Sequence, residues 1–238
     1  MEPTSQTLLA DYQPSAATVE LVGQTPIVLL VGISGAGKDT IKHHLLQSGK
    51  YHHIVSHTTR LPRNNAGVME TNGEDYHFVD HDQAHGMLEQ GAFVEAKQYG
   101  ANIYGTSVAE LEQAKQEGRI ALTDIEVQGV TEYKAISNTV IAIFILPPSY
   151  KEWQRRLHSR YLPGEADPAD IKKRMHTAIT ELEDALAQPY YHFVINDDLD
   201  QAVEIVDKIA HNHDEFNKID DAVRAQAEQL LHDLKQTV

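Results

Sequence analysis

The chain of 238 residues contains no cysteine. Disulfides and thiolate metal sites are therefore excluded, and the absence fits a reducing compartment. Basic residues are scarce: 20 Lys and Arg face 35 Asp and Glu, for a formal charge of -15. That balance opposes general affinity for nucleic acid backbones or anionic membranes, while leaving room for a local arginine patch that grips phosphate. Long apolar runs are missing too. The longest, Ile27–Val31 and Val140–Leu146, fall far short of the roughly 20 residues a membrane-spanning helix needs. The opening MEPTSQTLLADYQPS lacks the basic start and apolar block of a secretion signal. A soluble, cytoplasmic protein is expected, with neither nucleic acid nor membrane as partner.

What is present is a core-forming chain, 41% apolar, enough for one large α/β domain with small inserted lobes. Its 14 histidines, including the pairs at 43–44 and 52–53 and the HNH at 211–213, match no ligand spacing with cysteine or a glutamate base. They are read as solvated surface side chains.

The pattern alternates. Residues 1–24 are polar and proline-punctuated and read as a loosely held N-terminal extension. Pro26–Val31 is a continuous apolar run, as in a strand buried on both faces, and Thr40–Gln47 reads as a helix. HIVSHTTR reads as a second strand entering a loop. Strand-like pieces separated by Gly- and Asn-rich turns suggest a small β-rich lobe at about 60–105. Then come a helix ending on Gly118, the strand RIALTDI, the strand VIAIFILPP, and a helix opened by Ser149 as N-cap. A lid loop at about 158–173, a long helix to about Ala187 and the strand YHFVIND complete a core of 25–210. In residues 211–238, a C-terminal helical extension, Phe216, Ile219, Val223, Leu230 and Leu234 form an apolar stripe. It is expected to pack on its own domain rather than to form a dimer contact. The fold class expected is α/β, a doubly wound parallel sheet of the P-loop NTPase type carrying an acceptor lobe and a lid.

The stretch VLLVGISGAGKDT carries the first chemistry. Gly32, Gly35 and Gly37 allow a tight turn whose N–H groups, with those of Ile33, Ser34 and Ala36, face phosphate oxygens at a helix N-terminus. Lys38 is the point charge on the β- and γ-phosphates. Asp39 stands where a magnesium-binding hydroxyl is usual. A carboxylate also holds Mg2+, and Thr40 supplies a hydroxyl next along. Arg60 and Arg63, three apart beside the lobe, suit a phosphate monoester, with Tyr76 and Tyr104 as hydroxyl donors.

The blocks GISGAGKDT, SHTTRLPR, GEDYHF, FVEA, IYGTS, LTDIEVQG, FILPPS and INDDLD, in this order from about Ile27 to Ala210, resemble guanylate kinase. The resemblance implies ATP-dependent phosphorylation of GMP, and of dGMP, with ATP and Mg2+ as cofactors. It implies that Arg60, Arg63, Tyr76 and Tyr104 hold the GMP phosphate, and that Glu95 accepts the paired donors of guanine. Ser56 and Thr106 would add hydroxyl contacts, with Asp124 behind them. Arg156, Arg160 and Arg174 would close on the transferring phosphoryl group together with Lys38, and Asn196 would lie near the adenine of ATP. Mg2+ would be held mainly by ATP phosphates, with Asp39 or Thr40 contributing. The oligomeric state, monomer or homodimer, stays open.

The chain departs from the family pattern in four places. The connection after Arg63 is about four residues longer, the lid about three longer, Glu126 replaces an aspartate, and Tyr161 a glycine. Two rival readings share features of the chain: a non-catalytic guanylate-kinase-like binding module, and a ribose bisphosphate phosphokinase, whose phosphate loop also carries GKD. The retained lysine argues against the first, and Ser56, Arg63, Glu95 and Asp124 against the second.

Overall fold

A computed structural model describes residues 4–65, 67–159, 167–212 and 221–237. Along the chain, helices α1 (Ser5–Ala10) and α2 (Ala16–Gln24) precede strand β1 (Ile27–Val31), which α3 (Lys38–Gln47) follows. Strands β2 (Tyr51–His53), β3 (His57–Thr58), β4 (Asn64–Asn65), β5 (Val68–Met69) and β6 (His77–Phe78) lead into α4 (His81–Glu89). Next come β7 (Phe93–Tyr99), β8 (Asn102–Ser107), α5 (Val108–Glu117), β9 (Ile120–Asp124) and α6 (Val127–Ile136). The chain ends with β10 (Ile141–Leu146), α7 (Tyr150–His158), α8 (Pro168–Leu186), β11 (Tyr191–Ile195), α9 (Leu199–His211) and α10 (Asp221–Thr237). This is the expected α/β architecture, and it divides into two compact units.

The first unit comprises Met1–Ile27, Tyr51–Thr123 and Glu132–Val140. Here β2 and β9 pair in parallel, and the β-rich lobe is a four-stranded sheet of order β6-β3-β8-β7. Strands β7 and β8 run antiparallel, with a register irregularity between Phe93 and Glu95. Phe93 and Val94 are both buried, so the in–out alternation of a strand is broken where the chain reaches Glu95. Helix α4 starts on a capping box in which Asp80 and Gln83 each satisfy the other's backbone N–H.

The N-terminal segment is not the loose extension its polar composition suggests. Leu8, Leu9 and Tyr12 pack on the cluster of Ala84, Leu88, Phe93 and Ile103. The Tyr12 hydroxyl donates to Phe93 O at 2.6 Å and accepts from Phe93 N at 3.0 Å. Val22 on α2 is fully buried. A few apolar residues at helical spacing outweigh the polar majority, because burial scales with the face they make and not with average composition.

The second unit comprises Val28–Lys50, Asp124–Thr131 and Ile141–Val238. Strands β1, β10 and β11 run parallel in the order β11-β10-β1. Every residue of IVLLV and IAIFIL is buried, the signature of strands covered on both faces. Ser149 caps α7 by accepting from Glu152 N, while Asp167 caps α8, with Pro168 at its first turn.

Besides α1 and α2, helices α6 and α9 lie outside the elements expected from the sequence. Helix α9 had a signal: Asp198 as N-cap, followed by buried Ala202, Val206 and Ile209 at three- to four-residue spacing. In α10, Ala227, Leu230 and Leu234 are buried, Arg224 lies over the Phe193 ring at 5.6 Å, and Lys235 pairs with Glu183. Of the expected stripe, Leu230 and Leu234 are buried in this unit, and Val223 is half-buried. Phe216, Ile219 and the lid positions 160–166, Tyr161 included, lie outside the described residues.

Candidate active site

Each unit carries one constellation. In the second, β1 runs into the glycine loop and α3 begins at Lys38. Gly37 caps α3 at φ +97, and a Cβ there would lie 2.2 Å from Asn196 Nδ2. Only glycine fits that backbone and that contact. The loop is braced from outside: Asn196 Nδ2 donates to Ala36 O at 2.8 Å, and the fully buried Trp153 donates from Nε1 to Ser34 O at 2.9 Å. The Lys38 ammonium donates to Gly32 O.

Around this loop the arginines are paired with nearby acids. Arg156 donates from Nε to Glu152 at 2.7 Å and from Nη2 to Asn196 O at 3.0 Å. Arg174 donates from Nε to Asp170 at 2.9 Å and from Nη1 to Ser34 Oγ at 3.1 Å. Asn196 is buried and tied to the loop's backbone, so the structure gives it a bracing contact with Ala36. Arg160 lies outside the described residues.

Asp124, at the end of β9, pairs with Lys42 on α3. Burial works against its charge, but Lys42 and then Lys38 outweigh that, so its carboxyl sits below the usual range. Burial pushes the Glu181 carboxyl up to about 7, with Lys38 opposing and Glu126 adding to the rise. Neither Trp153 nor Glu181 was singled out from the sequence. No motif marks either one, since their roles come from helices α7 and α8 being placed beside the loop.

For Mg2+ the donor set fits in a limited way. Among the described residues no group of three or more His, Cys, Asp or Glu is arranged to hold a metal ion. Asp39 and Thr40 are exposed at the start of α3 and offer hard oxygen donors. That suits an ion bound chiefly by phosphate oxygens and water, with one protein ligand.

In the first unit the acceptor residues gather on the lobe sheet. Glu95 stands across from Thr106 on β7 and β8, and Glu95 Oε1 accepts from Thr106 N at 3.0 Å. The strand irregularity before it re-aims the side chain, a common use of bulges beside active sites. Beside Thr106, Gly105, which pairs with Ala96, admits no side chain: a Cβ would lie 2.7 Å from Glu95 O and 2.8 Å from Phe93 Cδ1. Burial pushes the Glu95 carboxyl up to about 7; Glu132 adds to this, while Thr106 and Lys97 oppose it. The Thr106 hydroxyl is buried and has no hydrogen-bond partner among the described residues.

Arg60 is 8% exposed and is gripped by Glu70 through two hydrogen bonds of 2.7 and 3.0 Å. Its guanidinium lies 5.2 Å from the centre of the Tyr76 ring, and Tyr76 packs edge-on against Tyr104 at 6.0 Å. Arg63 is exposed. Ser56 stands just before β3, its carbonyl accepting from His77 N at 2.9 Å. The structure thus brings Arg60, Tyr76 and Tyr104 into one cluster and Glu95 with Thr106 into another on the same sheet, while Asp124 is engaged by Lys42. Glu70 went unnoticed in the sequence, where METNGEDY reads as turn.

A family model described as guanylate kinase matches residues 24–213. Guanylate kinase 1 of Oryza sativa subsp. japonica is 35% identical over 203 residues, covering 84% of this chain and 51% of the rice protein. The chain thus spans about half that relative's length. The guanylate kinase of Trichormus variabilis is 32% identical over 196 residues, 82% of this chain and 94% of its own. Among solved structures, the crystal structure of guanylate kinase from Anaplasma phagocytophilum matches with a TM-score of 0.59 and 25% identity, covering 79% of this chain and 86% of that one.

Proposed function

The chain belongs to the guanylate kinase family, and from that membership we propose that it transfers the γ-phosphoryl group of ATP to GMP, yielding ADP and GDP. The observation that carries this reading is the lobe, where a carboxylate beside a strand irregularity accepts from Thr106 N and a covered guanidinium lies beside Tyr76, itself packed on Tyr104. Guanine presents N1–H and an exocyclic amine side by side, which one carboxylate accepts together. Adenine lacks that edge and would leave Glu95 unsatisfied, so AMP is rejected.

In this assignment Glu95 and Thr106, with Ser56, orient the base. Arg60, Arg63, Tyr76 and Tyr104 hold the 5′ phosphate, and Asp124 keeps Lys42 in place at α3. The glycine loop and the α3 N-terminus cradle the donor phosphates. Lys38, Arg156 and Arg174, joined by Arg160, neutralise charge as it spreads over the moving phosphoryl group. Arg156 and Arg174 do this by exchanging Glu152 and Asp170 for phosphate oxygens. Asn196 braces the loop beside the donor nucleotide. No covalent intermediate is needed, because in-line attack by the GMP phosphate oxygen suffices once water is excluded. Mg2+, held by the donor phosphates with Asp39 or Thr40 as protein ligand, supplies charge neutralisation when bound.

Among the described residues no helix is long and apolar enough to cross a membrane, and a cytoplasmic setting with nucleotides as the partners follows from the proposed reaction. ATP-dependent ADP release with GMP, dGMP, AMP, CMP, UMP and ribose 1,5-bisphosphate tests the reading. GMP and dGMP should be used and the others ignored. Use of the sugar bisphosphate alone, or silence from folded protein, would overturn it.

A further inference from the structure

We propose that Glu70 is a positioning residue for the acceptor phosphate: it holds Arg60 by one edge of the guanidinium so that the other edge is presented to the phosphoryl group. The proposal rests on the assignment of Arg60 to the GMP phosphate and names what fixes that side chain.

A guanidinium has two edges that bind an oxyanion with paired N–H groups, the terminal Nη1/Nη2 edge and the side edge made by Nε with one Nη. Glu70 takes the terminal edge, Nη1 donating to Oε2 at 2.7 Å and Nη2 to Oε1 at 3.0 Å. Nη1 also donates to Leu61 O at 2.7 Å. On the side edge, Nε is buried and has no hydrogen-bond partner among the described residues. The guanidinium plane is steadied by Tyr76 at 5.2 Å and Phe78 at 5.8 Å. A buried donor without an acceptor is costly unless a ligand satisfies it.

Glu70 is brought to this place by the hairpin that follows Arg63. Residues Asn64 and Asn65 pair antiparallel with Met69 and Val68, and this pairing returns residue 70 to residue 63. The closure is explicit: Glu70 N donates to Arg63 O at 2.9 Å, and Arg63 N donates to Glu70 Oε2 at 2.7 Å. One carboxylate therefore ties the backbone of the second arginine to the side chain of the first.

A rival role makes Glu70 a stand-in that occupies the phosphate's place and must leave. The two roles have opposite signs. Calorimetry with GMP and with guanosine on Glu70→Gln, Glu70→Ala and Arg60→Met separates them. For Glu70→Gln, GMP binding should weaken about tenfold, the loss of one charge-assisted contact's support, and for Glu70→Ala more. Guanosine binding should be unchanged, and kcat at saturating GMP should stay within about twofold, so that the effect falls on KM. Unchanged or tighter GMP binding in Glu70→Gln, with Arg60→Met still weakened, would overturn the Glu70 role alone. Parallel loss of guanosine binding would also overturn it, since a merely structural residue would act that way. Unchanged GMP binding in Arg60→Met would instead remove the phosphate assignment on which the proposal rests.

Discussion

In the acceptor lobe the covered arginine is held by an acid ten residues away, and the two side chains are only 8% and 9% exposed. In the unit that carries the phosphate loop, the arginines lean on acids one helical turn back. Arg174 and Asp170 are 36% and 38% exposed, and Arg156 and Glu152 are 21% and 26% exposed. Exposed pairs at this spacing are weak, about 0.3–0.5 kcal/mol, so they are readily traded for a phosphate. A covered two-point pair is not, because breaking it strands a charge away from water. The contrast teaches that the lobe is built before its ligand arrives, whereas the phosphate-loop side is built to exchange partners.

The largest effect should come from the side that exchanges. Lys38→Met removes the ammonium that donates to Gly32 O in the loop and should lower kcat about a thousandfold, with GMP binding by calorimetry unchanged. Loss of GMP binding in this variant would show that the two constellations are not separable in the way described.

Next is Glu95→Gln, which should lower kcat/KM for GMP about a hundredfold by removing charge from both guanine contacts. The pH response sharpens it. With the carboxyl at about 7, the guanine-binding anion is lost as pH falls. GMP binding should weaken about tenfold per unit below that value, while Glu95→Gln stays flat. Stability runs the other way. A carboxyl raised above its unfolded value makes the native state bind the extra proton, so stability falls as pH rises from about 4.5 to about 7. Glu95→Gln should therefore melt higher than the parent at pH 8 and equally at pH 4. A parent whose GMP affinity ignores pH across this window would contradict Glu95 as the group that accepts from guanine.

Smaller still is Tyr12→Phe. The phenol's bonds to both backbone groups of Phe93 anchor the strand that leads into Glu95, and losing them should cost about 1–2 kcal/mol. KM for GMP should rise and KM for ATP should not. The smallest is Asp170→Ala, expected to change stability by less than about 1 kcal/mol and kcat within about twofold. A large loss would mean that this pair is structural and not exchangeable.

How much of this was legible in the sequence follows the same divide. The phosphate loop could be read because strand, glycines, lysine and helix are contiguous, and Gly37 needs its left-handed backbone whatever surrounds it. Trp153, which braces that loop from 119 residues away, leaves no local mark, and Asn196 is marked by its motif but not as the brace that reaches Ala36 from 160 residues away. In the lobe, the identities of Arg60, Glu95 and Thr106 were legible through their motifs. The geometry that makes them a site was not. The irregularity at Val94 shows only as two apolar residues in a row, and Glu70 reads as a turn residue until the hairpin brings it back to Arg63. The packing of the N-terminal segment is illegible in the sequence because Leu8, Leu9 and Tyr12 are outnumbered by polar neighbours.

The most direct measurement is a crystal structure with GMP and a non-hydrolysable ATP analogue bound. The expected result has both Glu95 oxygens on guanine N1 and N2, Arg60 still paired with Glu70 while its Nε meets the GMP phosphate, and Arg156 and Arg174 released from Glu152 and Asp170. Guanine bound away from Glu95, or Arg60 freed from Glu70 while the two arginines keep their acids, would contradict it.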